Sequence, residues 1–149
     1  MFGRICFGAT IAALMVMVWG FVFWVFLGVP DRVMGSLSGG DSLAPAVCNV
    51  TALARGFLQM FASALLAAVL LAIAGPRLKS YVSRVGFVFL LGLFAAVTIH
   101  LAEPVWFARP WDYHLVMSFD ECCKALLAGI VLAVVVRPSV RREWPLLKD

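Results

Sequence analysis

The chain has 149 residues and a formal net charge of +4, with 64% hydrophobic and only 13% charged residues; a soluble domain carries roughly twice that charged fraction. Its mean hydropathy is +1.02. These values exclude an ordinary soluble domain. They also argue against nucleic-acid binding, because the basic residues sit in short clusters beside apolar runs and form no broad basic face.

Taken in chain order, residues 5–29 are a run of 25 residues without a charge, longer than the ~20 that cross a ~30 Å hydrocarbon core. This first span is expected to be retained and not cleaved. It exceeds the roughly 7 to 15 apolar residues of a signal peptide, and the cleavage-like Ala44-Pro45-Ala46 lies far beyond its end. Residues 30–49 are rich in Gly and Ser and read as an outer loop, with Asn49 placed to cap a helix starting at Val50. The second span is expected over 50–75, interrupted only by Gln59 and Ser63. Gly75-Pro76 opens a short turn, 76–83, that predicts a tight helical hairpin and neighbouring spans on either side. The third span covers 84–103 and ends in Thr98 and His100. Residues 104–117 are expected to form a second outer loop. A fourth span, 118–137, has a short apolar part, Ala125 to Val136, preceded by turns in which Lys124 can snorkel. A basic tail, 138–149, follows.

The fold class implied is an all-α integral membrane protein, an antiparallel bundle of four transmembrane helices in one domain. Eight Lys and Arg residues fall before span one, between spans two and three, and after span four; four fall in the alternate segments. The positive-inside rule then places both termini in the cytoplasm.

Helices in a bilayer associate by close backbone approach and polar contacts, since lipid chains are as apolar as Leu. Small residues therefore mark the expected seams: Gly8, Ala9, Ala12, Ala13 and Gly20 in span one, Ser63 and Ala67 in span two, Gly92 and Ala96 in span three, and Ala125, Gly129 and Ala133 in span four. Phe87, Leu91 and Val134 are expected to face lipid.

Ionisable residues concentrate between His100 and Lys124. If span three stays a regular helix, Gly92, Ala96, His100 and Glu103 share one face, so His100 and Glu103 point into the outer mouth of the bundle. Three readings compete. His100 and Glu103 can bond each other or Lys124 and lock spans three and four together. His100, Glu103 and His114, with Cys122 or Asp120, can bind Zn²⁺ or copper through imidazole, carboxylate and thiolate; the His-x2-Glu spacing is not a metalloprotease motif. His100 or Glu103 can relay protons, or orient a quinone or a lipid headgroup.

Of the four cysteines, Cys6 is expected near the cytoplasmic face and Cys48, Cys122 and Cys123 outside, where Cys48 can bridge to the start of span four. No Cys-x-x-Cys is present, so thiol–quinone exchange has little support. Trp106, Phe107, Trp111, Tyr113 and Phe119 read as an interfacial aromatic belt; the competing reading is a surface for a lipid or a protein partner. Asn49-Val50-Thr51 is a glycosylation sequon that matters only in a eukaryotic host.

Met1-Phe2-Gly3-Arg4, Val18-Trp19-Gly20-Phe21-Val22-Phe23, Trp106 with Pro110-Trp111, and Ala125-Leu126-Leu127-Ala128-Gly129-Ile130 running to Arg137-Pro138 together resemble small four-span bacterial inner-membrane proteins of uncharacterised function. The resemblance covers most of the chain and implies the inner membrane and the span count; it carries no catalytic residues. The function expected is that of a non-enzymatic structural or accessory subunit, with the lipid bilayer and other membrane proteins, or further copies of itself, as partners. The alternative is a small metal- or quinone-linked redox or transport protein built on the outer cluster.

Overall fold

The computed structural model describes residues 2–28 and 49–136. All of its regular elements are helical: α1 (Phe2–Phe21), extended by a wide π turn over Val22–Phe26; α2 (Val50–Ala74); α3 (Tyr81–Ala95), extended by a second π turn over Ala96–His100; a short α4 (Ala102–Phe107); and α5 (Trp111–Val135). Three continuous helical stretches, Phe2–Phe26, Val50–Ala74 and Tyr81–Phe107, are long and apolar enough to cross a membrane. The residues 30–48 expected as an outer loop, with Cys48 and its bridge, and the basic tail 138–149 lie outside the described residues.

Helix ends follow local chemistry. The Asn49 side chain accepts from the Thr51 amide at 2.9 Å, the cap its position suggested. Ser80 does the same for α3, accepting from the Ser83 amide at 3.0 Å. The first span stops short of residue 29 because Gly28 turns into the left-handed region at φ +57°, where a glycine ends a helix without steric penalty. The expected loop over 104–117 is largely helical. Ala108, at φ 52°, breaks the chain between α4 and α5, Pro110 precedes the first turn of α5, and α5 starts at Trp111 and not near 118. The hydroxyls of Thr10, Thr98 and Ser118 bond carbonyls one turn back in their own helices and so need no water.

The core joins all four long helices, through Ile5, Ala12 and Val16 of α1, Ala68 and Leu71 of α2, Val88 of α3, and Ala128 and Leu132 of α5. α5 runs antiparallel to α1: the Arg4 guanidinium donates to the Val135 carbonyl at 2.8 Å, placing a cation at the negative end of α5, while Trp19 reaches Asp120 near the other end. It also runs antiparallel to α3. Gly92 abuts Ala125, and Gly129 lies against Val85 and Val88, so tightly that a Cβ on Gly92 would collide with the Ala125 side chain and one on Gly129 would stand 3.1 Å from the Val85 carbonyl. Ala96 and Ala133 are buried as well.

The arrangement departs from the expected hairpin. α2 packs on α1, α3 packs on α5, and α1 and α5 pack on each other, while α2 and α3 touch each other only sparsely. Between them a cleft opens. Ser63 and Ala67, expected in a helix seam, line this cleft, and the seam of α2 is made by Ala64, Ala68 and Leu71, which lie on a neighbouring stripe. Val134 is exposed as expected. Phe87 and Leu91 are not: both are half-buried, Phe87 against the core and Leu91 in the cleft wall, because this face of α3 turns toward the core and the cleft and not away from the bundle.

Candidate functional site

Two neighbouring features dominate the end of the molecule at which α1 and α3 finish and α2 and α5 begin. The first is Asp120, a fully buried carboxylate with 0% of its surface exposed. An ionised carboxylate without partners is very costly in such a place. Three donors surround this one. Trp19 Nε1 donates to Oδ1 at 2.9 Å and Trp24 Nε1 to Oδ2 at 3.2 Å, and Lys124, one turn along α5, places Nζ 2.6 Å from Oδ2. Phe23 is buried between them, stacked on Trp19 and edge-on to Trp24, and it also meets Phe119 of α5.

The π turn of α1 makes this possible. In a regular helix residues five apart point about 140° away from each other. Widening the last turn, with the Leu27 amide bonded to the Val22 carbonyl at 2.9 Å, swings Trp24 back toward the face of Trp19. The sequence signal was present as two Trp residues at an awkward spacing and an Asp-x3-Lys pair, but no helical periodicity links them.

The π turn of α3 has the opposite effect on a sequence-derived candidate. The Leu101 amide bonds the Ala96 carbonyl at 3.3 Å, and the extra residue in this turn shifts the following face by one position. Pro104 takes the buried place and Glu103 moves outward. Glu103 is therefore not inside the bundle and does not meet Lys124. It sits 4.0 Å from Arg109, with 44% of its side chain exposed. His100 remains half-buried, within electrostatic reach of Glu121, His114, Lys124 and Asp120. His114 is buried, with 7% exposed, its ring edge-on to Tyr113, and its Nδ1 has no hydrogen-bond partner among the described residues. Cys122 and Cys123 are half-buried free thiols near the middle of α5; Cys6, also free, lies in the second turn of α1.

The metal reading required His100, Glu103, His114 and Cys122 to converge. Among the described residues no group of three or more His, Cys, Asp or Glu side chains is placed to hold a metal ion, and Glu103 is engaged elsewhere.

The second feature is the cleft, about 390 Å³, whose walls come from all four long helices. Its polar lining is Gln59 and Ser63 of α2 with Glu121 and Lys124 of α5. These positions fall near the middle of their helices, beside the Asp120 cluster. Farther along, Leu70, Val88 and Ala128 make an apolar wall. The sequence showed Gln59 only as an interruption of a span, Ser63 as an interruption and an expected seam residue, and Glu121 only as part of a charged run.

Comparison with known proteins finds no matching protein-family model, no matching curated protein and no matching solved structure.

Proposed function

We propose that the chain is a four-span integral protein of the bacterial inner membrane, with both termini in the cytoplasm, acting as a structural or accessory subunit beside other membrane proteins. The observation that carries the role is the saturation of Asp120. The buried Asp120 carboxylate accepts from Trp19 and Trp24, which ties α1 to α5, and is neutralised by Lys124 of its own helix, which is the work of a structural lock and not of an exchangeable catalytic group.

Support for a fourth crossing comes from packing. α5 runs antiparallel along α1 and α3, both apolar enough to span, and no charge follows Lys124 in it, with Asp120 sealed and Lys124 paired. Its last turns, Ala125 to Val135, are apolar throughout. Large apolar side chains point outward from α1, α2 and α3, the surface expected of a bundle surrounded by lipid and neighbouring helices.

Topology is tested with single cysteines at Ser38 or Ser80 in a chain whose native cysteines are replaced by Ser. A membrane-impermeant maleimide on intact cells should label Ser38→Cys and miss Ser80→Cys; labelling of the second would overturn the orientation. The accessory role predicts that the chain, extracted in mild detergent, migrates with a defined partner at fixed stoichiometry. A chain found only as free monomer would overturn it.

A further inference from the structure

We infer that the cleft between α2 and α3 binds a lipophilic organic monocation that enters sideways from the bilayer, with the Glu121 carboxylate as its counter-charge. The inference goes beyond the structural role, and it rests on the four-span reading for one point only, that the cleft lies at membrane depth.

Charge complementarity comes first. Lys124 is the only cation lining the cleft, and it is bound to Asp120. Glu121 therefore faces the cleft with no ion-pair partner among the described residues. The local balance of Asp120, Glu121 and Lys124 is one negative charge. A lipophilic anion would meet Glu121 unfavourably, and a neutral amphiphile would leave the carboxylate uncompensated in a medium where charge is costly.

Depth and size narrow the class. Counting back from Val135 at 1.5 Å per residue puts Glu121 about 21 Å along α5, about 9 Å inside a ~30 Å hydrocarbon layer. A phospholipid would have to draw its whole headgroup below the interface to reach it, whereas a cation whose charge is wrapped in apolar groups loses little hydration on entering. The volume, about 390 Å³, lies within the roughly 300–1,000 Å³ of small-molecule sites. It is too small for a partner helix, which at 10–12 Å across fills about 800 Å³ in every 10 Å of length. Leu66, Leu70 and Leu91 supply the apolar walls, and Gln59 and Ser63 offer oxygen acceptors beside the carboxylate.

The titratable and charged groups around Glu121 are Asp120 and Lys124 on its own helix, His114 earlier on α5, and His100 at the end of the α3 π turn; α2 adds the neutral Gln59 and Ser63 of the cleft lining and Arg55 one turn before Gln59, and α1 presents the neutral Trp19 and Trp24.

The test is titration of the full chain, purified in non-ionic detergent, with tetraphenylphosphonium, and separately with the neutral triphenylphosphine oxide and the anionic tetraphenylborate. The phosphonium should bind saturably at one site per chain, and more tightly than either comparison compound. Glu121→Gln should weaken it at least about tenfold, the loss expected when a charged partner becomes neutral. Ser63→Trp fills the cleft without touching the charges and should abolish binding while circular dichroism stays unchanged, a control should Glu121→Gln fail to fold. Glu103→Gln should bind as the parent does. Tetraphenylborate binding as tightly as the phosphonium, no saturable phosphonium binding, or full binding to a folded Glu121→Gln chain would each overturn the inference. Its failure leaves the topology labelling and the partner stoichiometry unaffected, so the two readings stand or fall separately.

Discussion

Trp19 and Trp24 donate to different oxygens of the same Asp120 carboxylate, at 2.9 and 3.2 Å, although five residues separate them. The bonds exist only because α1 widens over its last turn, so the π turn and the buried charge form one structural unit. Asp120→Ala should destabilise the bundle by about 3–5 kcal/mol, because it leaves Lys124 without its partner and two indole N–H groups unsatisfied. Trp19→Phe keeps an aromatic ring but loses the N–H donor and part of the indole's volume, and should cost about 1–2 kcal/mol, less than Asp120→Ala. Reversible unfolding in mixed micelles, followed by circular dichroism, measures both; a loss under about 1 kcal/mol for Asp120→Ala would show that the carboxylate does not lock α1 to α5.

The α3–α5 seam predicts a directional rescue. Gly92→Ala sets a methyl against the Ala125 side chain and should cost about 1–3 kcal/mol by overpacking. Adding Ala125→Gly should recover most of that loss. Val134→Leu, on the exposed face of α5, should change stability by less than about 0.5 kcal/mol. If the double variant were no more stable than Gly92→Ala alone, the two residues would not be in contact.

The pair Glu103 and Arg109 is open to the surroundings and long, at 4.0 Å. Both Glu103→Gln and Glu103→Leu should therefore change unfolding free energy by no more than about 1 kcal/mol. A large loss in the Leu variant alone would mean that Glu103 pairs inside the bundle after all.

Backbone strain gives a fourth outcome. Ala108 occupies the left-handed region at φ 52°, where an L side chain costs roughly 1–2 kcal/mol. Ala108→Gly should raise the midpoint of thermal unfolding, and Gly28→Ala, at φ +57°, should lower it. Opposite signs in the two variants are the diagnostic result.

Much of the architecture could be read from the residues. Apolar run length located the long helices, Asn49 marked the start of α2, and the small residues Gly92, Ala125 and Gly129 lie where α3 meets α5. What escaped has a common cause. Helical periodicity assumes 3.6 residues per turn, and two π turns break that count at the site. One brings Trp24 to Asp120 and the other carries Glu103 away from Lys124. Periodicity also says which residues share a face, but not which helix that face meets. Ser63 and Ala67 were correctly grouped on one stripe, yet the stripe borders an opening.

That opening has a mechanical consequence. α2 is held along its length chiefly by α1, through Ala64, Ala68 and Leu71 and the approach of Met60 to Gly20, and it is hinged to α3 at Gly75-Pro76. α2 is thus a lever with one broad bearing. Met60 and Ala64 belong both to the α1–α2 seam and to the cleft lining, so a change of side-chain volume there bears on the seam and on the gap at once.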